Sequence, residues 1–294
     1  LSAPVAQYWP EFAAAGKQDI TIASVLGHRS GVIGPRTPLH WRDAADWDRV
    51  CEQLALSEPW WEPGTAQGYH MVTFGFILGE VVRRVTGRTI GQYLRTEIAE
   101  PMGIDVHIGL PVAEHHRCAE MVNKPHIRDV LADGQAPDSP VSLDDHPMAG
   151  LSVAMGFVPD DELGSHELTR WRTCEFPSTN GHVSALGLAT FYNGLAQEKL
   201  LSLEHMESVR ISQGGFDTDV VLGPRVADHG WGLGYMLNQR GVAGPNLRSF
   251  GHGGSGGSYG FVDLENRIGY AYVMNHFDAT KCNADPRSTA TCRA

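Results

Sequence analysis

No Cys-x-x-Cys pair, no basic run and no apolar stretch long enough to cross a bilayer occurs in these 294 residues, and each absence removes a class of function. The five cysteines, Cys51, Cys118, Cys174, Cys282 and Cys292, are scattered without zinc or disulfide-framework spacing, so free thiols are expected. The longest basic cluster is the pair Arg83-Arg84, and 23 Lys+Arg against 34 Asp+Glu give a formal charge of -11. Nucleic acid and anionic membrane surfaces are therefore not expected partners. The run "MVTFGFILGEVV" is interrupted by Glu80 and too short for a membrane span, so it reads as a core helix. "LSAPVAQYWPEFAAAG" opens the chain without a charged n-region and apolar h-region. No secretory leader is read, and the compartment stays open with the cytoplasm as the default. Oligomeric state is equally open.

Fourteen histidines raise the question of a metal. His166 and Glu167 begin like H-E-x-x-H, but Arg170 stands where the second ligand belongs, and the adjacent His115 and His116 point to different sides of any regular element. Without ligand spacing, no metal site and no cofactor is expected.

What is present suits a large buried core: 42% of the residues are hydrophobic. Asp19 or Thr21 is a candidate N-cap for a short helix through Ile22, Val25 and Leu26. One helix is expected from Trp41 to Leu56, with Trp47, Val50, Cys51 and Leu54 on its apolar face. A second runs from Val72 to Val85 with Phe74, Ile77, Leu78, Val81 and Val85 as its stripe and Gly87 as its stop. Thr89 to about Glu100 gives another, ended by Pro101, and "SALGLATFYNGLAQ" a further one with Leu186, Leu188, Ala189, Tyr192 and Leu195 inward. Residues 111 to 177 form a Pro- and Gly-rich excursion. Strands are expected over Gly232 to Leu237, Ser249 to Gly251, Tyr259 to Asp263 and Ile268 to Met274. Helices first and antiparallel strands last give an α/β protein of the α+β kind, a single domain over 1–294. Its helical lobe is expected from residues 40 to 190, its sheet lobe from residues 230 to 275.

The stretch "SFGHGGSGGSYGFVDLENRIGYAYVMN" fits several patterns. Gly251, Gly253 and Gly256 spell G-x-G-x-x-G, and Gly253 to Gly257 spell G-x-S-x-G around Ser255. Both readings need a helix directly afterwards, whereas the residues that follow read as two strands. A glycine-rich strand edge beside a substrate is the third reading.

Taken in order, "TIASVLGHRSGV", "EPGTAQGYHMVTFGFILGEVVRRVTGRTIGQYLRTEIAEPMGI", "PSTNGHVSALGLATFYNGLA", "WGLGYM" and "FGHGGSGGSYGFVDLENRIGYAYVMN" resemble the serine β-lactamase-related family. That family includes class C β-lactamases, penicillin-binding proteins and carboxylesterases. The resemblance runs from Leu1 to about Asn275, and Tyr69-His70-Met71 and His252-Gly253-Gly254 bring it closest to the esterase branch. It implies the β-lactamase/transpeptidase-like fold, an antiparallel sheet flanked by helices plus a mostly helical lobe, and an acyl-enzyme that takes small-molecule esters. In the family a Ser of S-x-x-K attacks a carbonyl carbon while its Lys and a Tyr handle protons. Tyr69 corresponds to that Tyr. Its hydroxyl, with an ordinary pKa near ~10, becomes a base at neutral pH only when neighbouring cations stabilise the phenolate. His252, Gly253 and Gly254 correspond to the strand-edge K-T-G box, and the N–H of Ser255 to an oxyanion donor. Trp41, Trp60 and Trp61 are candidates for an acyl pocket, and His28 is expected to order its own loop.

Three departures follow. Met71 replaces an Asn that would bind a β-lactam side-chain amide, and His252 replaces a cationic Lys; both favour simple esters over β-lactams or D,D-peptides. No Ser in the chain is followed three positions later by Lys. The expectation is thus an N-terminally incomplete esterase fold that begins just after its catalytic Ser and Lys, ends in an altered C-terminus and is inactive by itself. The alternative is a non-catalytic or ligand-binding protein of the same fold.

Overall fold

The computed structural model describes residues 1–37, 39, 41–122, 148, 165–214, 218–223, 230–239, 241–254 and 256–276. Two 3₁₀ turns, Val5–Gln7 and Pro10–Gly16, bury Val5, Trp9 and Phe12. Lys17 follows, fully buried, and its ammonium donates to the carbonyl oxygens of Ala14, Ala55 and Ser57 at 2.7, 2.9 and 2.5 Å. Two of these lie at the C-terminal end of a later helix, where carbonyls lack helical partners. Burial pulls the Lys17 pKa down to about 8.

Helix α1 (Ile22–Leu26) is capped by Thr21, whose hydroxyl accepts the Ser24 N–H at 3.1 Å. The helix expected from Trp41 to Leu56 is two, α2 (Trp41–Ala44) and α3 (Trp47–Leu56). Asp46 separates them: its carboxylate accepts the Arg49 N–H, and a side chain that caps a new helix competes with continuing the old one. Helix α4 (Thr73–Thr86) ends at Gly87 with φ 71°, as its glycine predicts. Its buried face is rotated from the expected stripe. Phe76, Ile77, Glu80 and Val81 are inside, while Val85 is exposed. The fully buried Glu80 is satisfied by Arg83, Arg84 and the Trp47 indole at 2.7, 2.7 and 2.8 Å. Burial raises its pKa, but these donors outweigh burial and hold the carboxyl below its ordinary range.

Pro101 does not end the next helix. α5 (Ile90–Tyr93), with a Thr89 capping box, passes into a π-helical turn over Leu94–Ala99 and then α6 (Glu100–Met102), stopped at Gly103 with φ 63°. The wider turn relieves the clash that a proline ring makes with the carbonyl four residues back. A short antiparallel pair, β1 (Val106–Ile108) and β2 (Gly181–Val183), was not expected; it brackets α7 (Ser165–Thr173) in sequence.

Helix α8 (Ala185–Ala196) is capped by Ser184 and followed by α9 (Leu203–Val209). The main sheet is antiparallel in the order β3 (Met236–Leu237), β4 (Phe250–Gly253), β5 (Tyr259–Asp263), β6 (Ile268–Tyr272). The first strand is shorter than expected, the third has the expected bounds. Helix α8 lies on β5 and β6 because two glycines let it: a Cβ at Gly260 would sit 2.4 Å from the Tyr192 ring, and one at Gly269 would sit 2.1 Å from the Asn193 N. Tyr192, Leu195, Met206, Phe250 and Val262 form the resulting core. Leu186, expected inward, is exposed. A second core joins Val5, Trp9, Phe12 and Val25 to Val50, Leu54, Phe76, Ile77, Trp171 and Phe176. The helical core therefore starts well before residue 40, and the last helix assigned to it packs on the sheet instead.

Candidate active site

The loop between α3 and α4 carries Tyr69, and its backbone is laced to the loop after α1. Gly64 N–H donates to Arg29 O at 2.9 Å, Gly68 N–H to His28 O at 3.0 Å, and the Gln67 side-chain amide to Gly27 O at 3.0 Å. Gly68 is required by crowding, since a Cβ there would lie 2.7 Å from the Trp61 ring and 2.8 Å from a Val221 methyl. The Tyr69 N–H points between the two carboxylate oxygens of buried Asp219, at 3.2 and 3.1 Å. Asp219 also accepts the N–H groups of Val221 and Leu222 at 2.9 and 2.8 Å.

The Tyr69 ring stacks on Trp231 at 5.0 Å and 13°, with His28 edge-on at 5.1 Å. Trp231 and His28 also meet each other, 4.3 Å between centroids. Beneath them His70 is fully buried: its N–H donates to His28 Nδ1 at 3.2 Å, its Nδ1 donates to Gly68 O at 2.6 Å, and the Ser30 hydroxyl donates to its Nε2 at 2.7 Å. Burial pulls the His70 pKa down to about 4 and that of His28 well below the ordinary histidine value, so both are neutral supports near pH 7. The Ser30–His70 pair has the spacing of an activated nucleophile, but both residues are sealed from solvent. The His28 side chain, expected to order its own loop, instead meets Tyr69, His70, Phe74 and Trp231 from other segments and floors the Tyr69 ring.

Across from Tyr69 lies the glycine-rich strand. β4 and β5 are joined by a tight turn in which Gly254 N–H donates to Ser258 O at 2.7 Å and Gly256 and Gly257 have φ of 88° and 110°. Strand follows strand, so the dinucleotide and nucleophile-elbow readings fail for want of a helix. The glycines at Gly251 and Gly254 answer to the protein itself: added Cβ atoms would meet Gly260 O at 2.1 Å and Ser258 Oγ at 2.3 Å. The strand nevertheless brings His252 to Tyr69, with Nε2 3.4 Å from the tyrosine oxygen and Nδ1 2.6 Å from Gly253 O. The two residues are 183 positions apart in sequence. Ser255 lies outside the described residues, as do residues 277–294 with Cys282 and Cys292 and most of the 111-to-177 excursion.

Ile33 and Val221 form an apolar cluster with Trp60, Trp61, Met148, Val220 and Leu222. Trp61 comes edge-on to His70 at 5.9 Å, while Trp60 donates its N–H to Gly34 O and carries the Arg36 guanidinium 4.1 Å above its ring. Trp41 opens α2. Met71 packs against the helical core. A separate polar cavity of about 310 Å³, lined by Asp19, Thr21, Ser24, Arg29, Gly64 and Gln213, includes neither Tyr69 nor His252. Among the described residues no group of three or more His, Cys, Asp or Glu side chains is placed to hold a metal ion, and no helix is long and apolar enough to cross a membrane. Sequence placed His70 and Trp231 within family motifs without giving them a role, and it did not single out Asp219 or Ser30. Their roles come from contacts that no local spacing announces.

The arrangement offers a tyrosine hydroxyl and an imidazole in proton contact at the mouth of a glycine-rich strand. A model of the beta-lactamase family matches residues 1–290. The esterase/beta-lactamase LipL of Mycobacterium tuberculosis is 30% identical over 285 residues, 93% of this chain and 62% of that protein. This chain thus spans less than two thirds of that relative. The crystal structure of a family VIII carboxylesterase is similar with 36% identity, 99% of this chain and 76% of that one, TM-score 0.79. A penicillin-binding protein homologue from Caulobacter crescentus is similar with 32% identity, 99% and 75% coverage, TM-score 0.77.

Proposed function

The chain belongs to the beta-lactamase family, and from that premise we propose that it serves a serine hydrolase of the esterase branch, cleaving small carboxylic esters through an acyl-enzyme. The observation that carries the reading is the 3.4 Å approach of Tyr69 to His252 from opposite ends of the sequence. Tyr69 is the proton-handling hydroxyl, and His252, Gly253 and Gly254 border the substrate on the sheet side. The N–H of Ser255 is the oxyanion donor in this reading. The esterase names of two relatives support the substrate class, as do Met71 and His252 in place of groups that would favour a β-lactam. The apolar cluster around Trp61, Val220 and Leu222 suits an acyl chain rather than a charged peptide.

The 294 residues contain no Ser-x-x-Lys, so the acyl-enzyme step requires such a segment in addition to them. The test compares the 294-residue chain with the same chain extended N-terminally by a Ser-x-x-Lys segment, using short-chain p-nitrophenyl esters and a serine-directed phosphonate. The extended protein is expected to turn over esters with a burst and to be labelled at the added serine; the short chain is expected to do neither. An extended, folded protein that binds esters without a burst would favour the ligand-binding alternative. Labelling of the short chain at Ser255 or Ser30 would move the nucleophile into these residues.

A further inference from the structure

A lysine at position 252 would present only donors to Tyr69 and would act by holding a phenolate. The geometry at His252 is different in kind. Its Nδ1 lies 2.6 Å from the Gly253 carbonyl oxygen, which can only accept, so Nδ1 carries the hydrogen. In the neutral ring Nε2 is then bare, and the atom 3.4 Å away is the Tyr69 oxygen. The tyrosine hydroxyl therefore donates to the histidine.

We propose that His252 is the terminal proton acceptor of this site, receiving the Tyr69 proton as Tyr69 takes the proton of an attacking hydroxyl. The inference rests on the ester-hydrolase reading for its substrate, not for its pairing. In the step, the O–H bond of the attacking alcohol or water breaks and its electron pair goes to the acyl carbon. Its proton bonds to the Tyr69 oxygen, the original Tyr69 O–H breaks, and that proton bonds to His252 Nε2. The imidazolium keeps its Nδ1–H on Gly253 O. Reversal of the same two transfers delivers a proton to the leaving alkoxide. No free phenolate forms, which removes the mismatch between a group that ordinarily titrates near ~10 and a reaction at neutral pH.

The surroundings fit this direction of transfer. Among the described residues, the titratable groups packed about the pair include His28 and His70 under the tyrosine ring and Asp219 on its backbone N–H. His28 and His70 are buried with their hydrogen bonds made as neutral rings, so neither competes for the proton. His252 is half-buried, its ring beside those of Tyr69 and Trp231. In this step His252 acts through Tyr69, as a relay residue.

Long-range ¹H–¹⁵N spectra of the 294-residue chain, labelled at histidine, test the pairing without any turnover. At pH 8 His252 is expected as the Nδ1–H tautomer, and Tyr69→Phe is expected to shift its Nε2 resonance to that of an unbonded ring nitrogen while leaving Nδ1 in place. An Nε2–H tautomer, or an Nε2 resonance indifferent to Tyr69→Phe, overturns the proposal. In the extended, active protein, His252→Gln is expected to lower kcat about 100-fold, within the usual span for general acid–base groups, and to abolish the acid limb of the pH profile. A retained acid limb in that variant, with the fold intact, also overturns it. If esters are not cleaved while the spectra show the tautomer, the ester reading falls and the Tyr69–His252 pairing stands.

Discussion

The two walls of the site are built on opposite principles. Tyr69 is fixed from every side: its N–H by Asp219, its flanking backbone by the His28 loop, and its ring by Trp231 and His28. Below it, the polar atoms of Ser30 and His70 close a buried network. His252 is set by strand pairing opposite Gly260 of β5, by its Nδ1 on its neighbour's carbonyl, and by its ring beside Tyr69 and Trp231 at 5.9 and 5.7 Å. Over-determination suits a residue whose oxygen must stay in place against substrate. An anchor on Nδ1 suits a ring whose Nε2 must gain and lose a proton. The helical wall supplies position, and the sheet wall supplies proton capacity.

Removing the hydroxyl at Tyr69 should break that comparison most severely. In the extended protein, Tyr69→Phe keeps the ring on Trp231 and is expected to cost about 1,000-fold in kcat while thermal unfolding stays close to wild type. A loss below about 10-fold by stopped-flow ester cleavage would mean that the proton takes another path.

The buried histidines make the stability of the helical wall depend on pH. His70 titrates near 4 in the fold and near 6.5 when exposed, and His28 is shifted in the same direction, both chiefly through burial. The unfolded chain therefore takes up protons below about pH 6.5 that the folded chain refuses. Stability from this source is complete above pH 6.5 and is lost as the pH falls toward 4, by roughly 3 kcal/mol for His70 alone. Urea unfolding at pH 7.5 and 4.5 measures it, and His70→Asn is expected to flatten the difference. An undiminished pH dependence in His70→Asn would assign it elsewhere.

On the sheet wall, Gly251→Ala places a Cβ 2.1 Å from Gly260 O in the adjacent strand. Forced separation of β4 and β5 is expected to cost about 2 kcal/mol in urea unfolding and to displace the His252 Nε2 resonance, leaving those of His28 and His70 unchanged. Concerted shifts of all three rings would mean that the walls are one unit.

The sequence made some of this legible for physical reasons that can be named. Thr21 and Gly87 act within a single turn of chain, so their type and spacing were enough. Asp46 was hidden because it sits inside an otherwise continuous helical pattern, and the π turn before Pro101 because propensity favours a stop there. Glu80 reads as a break in an apolar run; only the arginines one turn on and Trp47 from another helix make it a buried residue. Tyr69 and His252 were found through family motifs rather than spacing. Trp231, Asp219 and His70 act through contacts among distant segments, and the tautomer of His252 depends on a backbone oxygen whose direction only the strand fixes.

The smallest expected effect tests the support beneath the sheet wall. The apolar pattern of α8 puts Leu186 inward, whereas the structure leaves it 77% exposed and turns Tyr192 and Leu195 onto the sheet. That phase is the one in which Gly260 and Gly269 meet the helix, and it lets β5 pair squarely with β4 and set the position of His252. Leu186→Ser should then change the unfolding free energy by no more than about 0.5 kcal/mol, as for surface positions generally. A buried leucine would instead lose several kcal/mol, typically about 2 to 5 when cut back to alanine. A loss of that size at Leu186 would rotate α8 on its axis and set Tyr192 off the Gly260 contact. The register that carries His252 would then owe its position to something other than this helix, and the division of labour between the two walls would have to be redrawn from the sheet outward.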